Sequence, residues 1–183
     1  HLLHSIGNKC AQMGKNTIYV PSESFLNDFV FSISSNGMKK FREKYRTCDV
    51  LLVDDLQTIC SAQKTQEELF HTFNTIINRG GQLVFAADRS PEELPGIDDR
   101  LRSRFVWGLT TKVYPLGPEL KKRIISDKAE AAGISLDEDV MEHMLNATGN
   151  NVRQVMGALN ILKASMDLGK YQNTLEPARS ILV

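Results

Sequence analysis

Apolar residues along this chain fall into two kinds of run, short unbroken ones and longer ones spaced at helical period. Val50-Leu51-Leu52-Val53 is the sharpest of the short runs, four β-formers without polar interruption that end abruptly in Asp54 and Asp55. Such a run predicts a strand buried on both faces, the pattern of a parallel sheet. Thr17-Ile18-Tyr19-Val20, closed by Pro21, and Leu83 to Ala87, closed by Asp88, predict two more. Among the longer runs, Leu2, Leu3, Ile6, Cys10 and Met13 share one face of a helix stopped by Gly14. A helix capped by Ser22 or Ser24 carries Phe25, Leu26, Phe29, Val30 and Ile33, and after an Asn36-Gly37 turn Met38 to Tyr45 forms a basic helix.

Thr65-Gln66-Glu67-Glu68 has the spacing of a capping box, ahead of Leu69, Phe70, Phe73, Ile76 and Ile77 and a Gly80-Gly81 stop. Ser90-Pro91-Glu92-Glu93 is a second such box, with proline where its missing N–H is harmless. Asp98 to Phe105 reads as a helix and Leu109 to Tyr114 as a further strand. Strand and helix alternate up to this point, which predicts an α/β fold with a parallel sheet. Beyond Pro115 the pattern becomes three helices without strands, Pro118 to Ala132, Asp137 to Ala147 and Val152 to Leu168, each stopped by a glycine soon after. The expected organisation is an α/β base over residues 1–114 and a small all-α domain over 115–183.

Composition narrows the function classes. With 42% apolar residues in 183 the chain can bury a real core, and 22 basic residues against 22 acidic ones leave no global field to attract nucleic acid or a membrane. Any DNA contact is therefore expected to be local. Cys10, Cys48 and Cys60 lack CxxC or zinc spacing and read as reduced, buried thiols of a cytosolic protein. No apolar run is long enough to span a bilayer.

The chemistry-bearing residues stand at predicted element ends. Asp54 and Asp55 finish a buried strand, where open α/β sheets bind ligands and where phosphoryl-transfer ATPases place a Mg²⁺ ligand beside an acid that orients water; a solvated strand end is the plainer alternative. Asp88 ends the neighbouring strand, either reaching toward a γ-phosphate or its attacking water, or capping the next turn. Arg100 and Arg104 lie one helical turn apart, suited to phosphate by charge and bidentate geometry or simply paired with Asp98 and Asp99. Arg153 follows Asn150-Asn151-Val152 at a helix start, where the dipole disfavours a cation unless an anion is near. His71, four after Glu67, lacks a third metal ligand and reads as helix surface. Met141, Met144 and Met156 are expected in the helical core, and Trp107 against the base.

Val53-Asp54-Asp55-Leu56-Gln57, the Thr65–Asn74 helix, Ala87-Asp88-Arg89, Arg100 to Leu109, and Asn151-Val152-Arg153 with Gly157-Ala158-Leu159-Asn160 together resemble the DnaA family of bacterial replication initiators, in that family's order and spacing over nearly the whole chain. The resemblance implies an AAA+ P-loop type parallel sheet flanked by helices and followed by a helical lid. It implies that Asp54 is the Mg²⁺-associated Walker B acid and that Asp55 orients water, where other AAA+ proteins carry glutamate. Asp88 matches sensor 1, Arg104 the arginine finger reaching a neighbour's ATP, Arg100 a further assembly residue, and Arg153 sensor 2. Val30 and Lys64 match single-stranded DNA contacts within and beside the initiator-specific helices, and Lys39 and Lys40 are added from charge alone.

His1-Leu2-Leu3-His4 resembles the segment that follows the family's Walker A motif, so the GxxxxGK(S/T) loop is expected to lie before His1, and the chain as it stands to bind ATP and Mg²⁺ poorly. The family's duplex-reading helix-turn-helix domain would lie beyond Val183. The implied function is an ATP-dependent, self-assembling initiator of the bacterial cytoplasm and nucleoid. It opens origin DNA, works with a replicative helicase, and uses weak ATPase activity as its reset. The alternatives are an AAA+ helicase loader or regulatory homologue, and a non-catalytic interaction module lacking a P-loop.

Overall fold

The computed structural model describes residues 1–167, which divide into two compact units, one of residues 1–112 and one beginning at Val113. In the first, β1 (Thr17–Pro21), β2 (Val50–Asp54) and β3 (Gln82–Phe85) form a parallel sheet in the order β1-β2-β3. Register pairs Val20 with Val53 and Val53 with Phe85, which brings all three carboxyl ends to one edge. α1 (Leu2–Gln12) precedes the sheet; α2 (Ser22–Ser34) and α3 (Met38–Arg46) connect β1 to β2; a 3-10 turn (Leu56–Ile59) and α4 (Gln63–Asn78) connect β2 to β3. A second 3-10 turn (Pro91–Glu93) and α5 (Asp99–Trp107) follow.

Burial explains why the β2 run carries no polar residue. Leu51 and Val53 enter the main core with Phe25, Tyr45, Leu69, Ile76 and Leu101, whereas Val50 and Leu52 pack with Leu3 of α1 on the other face. With apolar layers on both sides, any polar side chain between Val50 and Val53 would lose its water without a partner.

Several local expectations are corrected. Leu109 to Tyr114 is not a strand, and no strand follows β3 among the described residues. Its β-forming residues pair with none of the three strands, and Leu109 stays 98% exposed. Trp107 is also exposed rather than packed. α4 begins at Gln63, not at a Thr65 cap, because Thr65, Gln66 and Glu68 turn inward and are buried. Ser22 lies inside α2 and makes no cap hydrogen bond. Only Leu3 of the five-residue α1 face is buried, and Val30 and Ile33 point outward from α2. The Ser90–Glu93 capping box does form, with both reciprocal hydrogen bonds.

The second unit contains α6 (Pro118–Ala131), α7 (Glu138–Ala147) and α8 (Val152–Asp167) around Ile125, Val140, Met144, Val155 and Leu159. Met141 packs at the margin of this core and Met156 is half-buried. Lys121 is buried, and its ammonium donates to the carbonyls of Leu145 and Thr148, satisfying acceptors at the α7 end where a helix carries negative partial charge. The expected stop of α8 at Leu168 and Gly169 lies outside the described residues.

Candidate active site

β2 ends in a backbone conformation that the body of the strand does not share. Asp55 adopts φ 53° and ψ 50°, the left-handed region that costs a residue with a Cβ of order 1 kcal/mol. Aspartate tolerates it better than most, because its short polar side chain can bond locally. Here the Asp55 carboxylate accepts from the amide of Gln57 at 3.1 Å, and the Asp55 carbonyl accepts from Thr58 N at 3.0 Å. The kink turns the chain out of the sheet and leaves Asp55 exposed, one residue beyond a strand whose body is fully buried.

Asp54 is held from two sides. Its Oδ2 accepts the Tyr19 hydroxyl at 2.9 Å and its Oδ1 accepts Asp55 N at 3.0 Å. Burial, then the bond to Asp54, raises the Tyr19 phenol above its ordinary pKa. The Tyr19 ring lies 4.2 Å from that of His4 on α1, so the Asp54 clamp is itself braced.

The chain leaving β3 runs alongside the chain leaving β2. Ala86 N donates to Val53 O, Leu56 N donates to Ala86 O, and Asp88 N donates to Gln57 Oε1 at 3.4 Å. A single amide, Gln57, thus touches both Asp55 and the Asp88 backbone. The Asp88 carboxylate forms a two-bond fork with Arg89, 2.8 Å on each arm, and these hydrogen bonds hold it below the usual carboxylate range. The structure brings Asp54, Asp55 and the Asp88 loop to one edge of the sheet.

α5 carries three arginines in unlike surroundings. Arg100 forks onto Asp98 at 3.1 and 2.9 Å and lies 5.0 Å from the Phe70 ring centroid. Arg102 pairs with Asp99 at 3.0 Å and donates to the Leu94 and Ile97 carbonyls. Arg104 is half-buried and makes no ion pair among the described residues. Of the two arginines singled out from sequence, Arg100 pairs with Asp98, whereas Arg104 pairs with no acid among the described residues.

Arg153 lies in the second unit, one residue into α8, with its backbone N–H capped by the Asn151 side chain at 2.9 Å and its own side chain exposed. Val30, Lys64, Lys39 and Lys40 are all exposed, and Lys39 forms a loose 3.9 Å pair with Glu43. His71 is on the surface of α4. Sequence reasoning missed Tyr19, Gln57 and the exposed Phe31, 70% accessible beside Val30. Phe31 falls off the stripe of Phe25, Phe29 and Ser32 that α2 buries, and its place outside that helical period was its available signal. Tyr19 and Gln57 had none, because their partners become neighbours only through strand register and the Asp55 kink.

The family model described as the bacterial DnaA ATPase domain matches residues 1–112. The chromosomal replication initiator protein DnaA of Campylobacter fetus is 43% identical over 182 residues, covering all of this chain and 42% of that protein. This chain therefore spans about two fifths of the length of the curated relatives it matches. A crystal structure of domain III of the Thermotoga maritima initiator superposes with a TM-score of 0.94 at 37% identity, covering all of this chain and 77% of that one. A replication initiator DnaA bound to AMPPCP and single-stranded DNA superposes at 0.82 with 30% identity, over 98% of this chain and 54% of that one. The fold is that of DnaA domain III, an AAA+ α/β base followed by a helical region. With the strand-end acids, the arginine-bearing helix and the likeness along the whole length in agreement, the chain belongs to the bacterial DnaA ATPase-domain family.

Proposed function

We infer that this chain is the nucleotide-switching part of a replication initiator, whose protomers assemble when ATP at one protomer receives Arg104 from the next. The observation that carries this reading is the sheet edge where Asp54, Asp55 and the Asp88 loop meet through Gln57, combined with an Arg104 that makes no ion pair among the described residues. The relative bound to AMPPCP and single-stranded DNA supports it.

The donor chemistry at Asp54 suits Mg²⁺. That ion takes one or two carboxylates and completes its octahedron with water and phosphate rather than with a protein cage. The described residues contain no group of three or more His, Cys, Asp or Glu that would make such a cage. Bound Mg²⁺ and ATP would supply a polarised γ-phosphoryl group; Asp54 would hold the ion, and Asp55 would orient the attacking water. Asp88, kept ionised by Arg89, has no proton to donate to a phosphate oxygen, so its side chain is suited to accepting from that water. Arg153 takes the γ-phosphate role that the family resemblance implies, and Arg100 a supporting one in assembly.

Single-stranded origin DNA is assigned to Val30, Lys64, Lys39 and Lys40, with Phe31 adding an exposed aromatic surface of the sort on which bases stack. Duplex origin DNA, a replicative helicase and slow hydrolysis as the reset belong to the same reading. Among the described residues no helix is long and apolar enough to cross a membrane. In the full-length protein, Asp55→Asn is expected to bind ATP within about twofold of wild type and to lower turnover about 100-fold. Unchanged turnover would remove Asp55 from the chemistry.

A further inference from the structure

The Gln66 side chain makes four hydrogen-bond contacts, and they meet at a junction. It sits in the first turn of α4, 1% exposed. Its Nε2 lies 3.0 Å from Ile59 O, 2.8 Å from Cys60 O and 3.0 Å from Gly96 O, and its Oε1 accepts from Asp98 N at 2.6 Å. The first two carbonyls close the 3-10 turn that begins just after Asp55; the other two groups belong to the segment that starts α5. Asp98 in turn caps α5, accepting from Arg100 N at 2.8 Å, and forks onto the Arg100 guanidinium. The backbones meet closely here. Gly96 has φ +74°, and a Cβ at that position would lie 2.8 Å from Cys60 O.

One buried amide therefore ties the turn issuing from the strand-end acids to the cap of the helix that bears the arginines. A shorter side chain would not span the junction, and an apolar one would leave Asp98 N and the inward carbonyls without this partner. A carboxylate would face three carbonyl oxygens. We propose that Gln66 is a positioning residue, fixing the start of α5 against the turn after Asp55 so that Arg104, with Arg100, is held for the neighbouring protomer's nucleotide. This rests on the reading of Arg104 as a trans-acting arginine.

Mixing protomers of the full-length protein tests it. Arg104→Ala lacks the donated arginine but keeps its own site, whereas Asp54→Asn loses its site but keeps the arginine. Mixed together, they should recover ATP hydrolysis at the interfaces that pair the intact halves. Gln66→Met should behave as Arg104→Ala does. Alone, it should bind ATP within about twofold of wild type and lose about 10- to 100-fold in assembly-dependent turnover, the scale of a misplaced catalytic group. It should be restored by mixing with Asp54→Asn and not by mixing with Arg104→Ala. Without nucleotide, amide exchange should accelerate across Asp99–Trp107 in Gln66→Met while α1 and the sheet stay protected, a readout independent of turnover. Gln66→Asn, with the amide kept but its reach shortened, supplies the same test should the methionine variant not fold.

If Gln66→Met or Gln66→Asn folds, binds ATP and hydrolyses it like wild type, or fails to recover on mixing with Asp54→Asn, the proposal is wrong. Failure of both variants to fold would make Gln66 a core residue and equally end it. If instead the Arg104→Ala and Asp54→Asn pair does not recover, the trans-arginine reading itself is at fault, whatever Gln66 does.

Discussion

The body of β2 and its carboxyl end are adjacent in sequence and opposite in design. Val50 to Val53 obey every local rule: β-forming residues, extended backbone, sheet partners on both sides and almost no exposure. One residue past the strand, Asp55 breaks them, with a left-handed backbone, solvent exposure and a carboxylate beside a second carboxylate. On the proposed reading, the body supplies stability and the end the chemistry, in keeping with departures from local preference at functional sites.

Substitutions can break that contrast, starting with the largest effect. Leu51→Ala should lower unfolding free energy by about 3 kcal/mol, through lost burial and the cavity left behind. Urea denaturation reads this directly, and a loss below about 1 kcal/mol would mean that the strand body is not the structural anchor. Glu68 is the polar counterpart within the same unit, buried against Arg46 and the half-exposed Arg42. Glu68→Ala should cost about 2 kcal/mol, less than a fully buried pair because Arg42 can return to water.

Tyr19→Phe removes the hydroxyl from Asp54 and should cost about 1 kcal/mol near neutral pH. The Tyr19 phenol has a folded pKa raised above its unfolded value of about 10. Its contribution is therefore complete below that unfolded value and declines as pH rises through the folded one. Alkaline unfolding followed by phenolate absorbance should show this loss in wild type and lack it in Tyr19→Phe.

Asp55→Gly reverses the sign. Glycine adopts φ 53° without a Cβ clash, so stability should rise by about 0.5 to 1 kcal/mol while turnover collapses. A stability loss there would show that Asp55 is held by more than its Gln57 bond. Smallest of all, Arg104→Ala should change stability by less than about 0.5 kcal/mol, since no carboxylate among the described residues pairs with it.

The same contrast explains what could be read from the chain. Periodicity located the three strands and the helices, and the unbroken Val50–Val53 run announced two covered faces, because burial on both sides leaves no room for polar alternation. It misplaced the Leu109–Tyr114 strand, since β propensity alone does not bring a segment alongside a partner strand, and it misread Thr65 as a cap where tertiary packing draws the residue inward. The acids and arginines were visible as residue types at element ends. What holds them was not: Tyr19 on Asp54, Gln57 between Asp55 and Asp88, and Gln66 between the 3-10 turn and α5 join residues separated by as many as 35 positions. Those contacts exist only once strand register and a positive φ bring the segments together.

Assembly of full-length Arg104→Ala protein, followed by sedimentation with ATP and with ADP, tests the central claim most directly. The expected result is wild-type nucleotide affinity and stability with ATP-dependent assembly lost. Filaments that form with ATP as readily as those of wild type would contradict it.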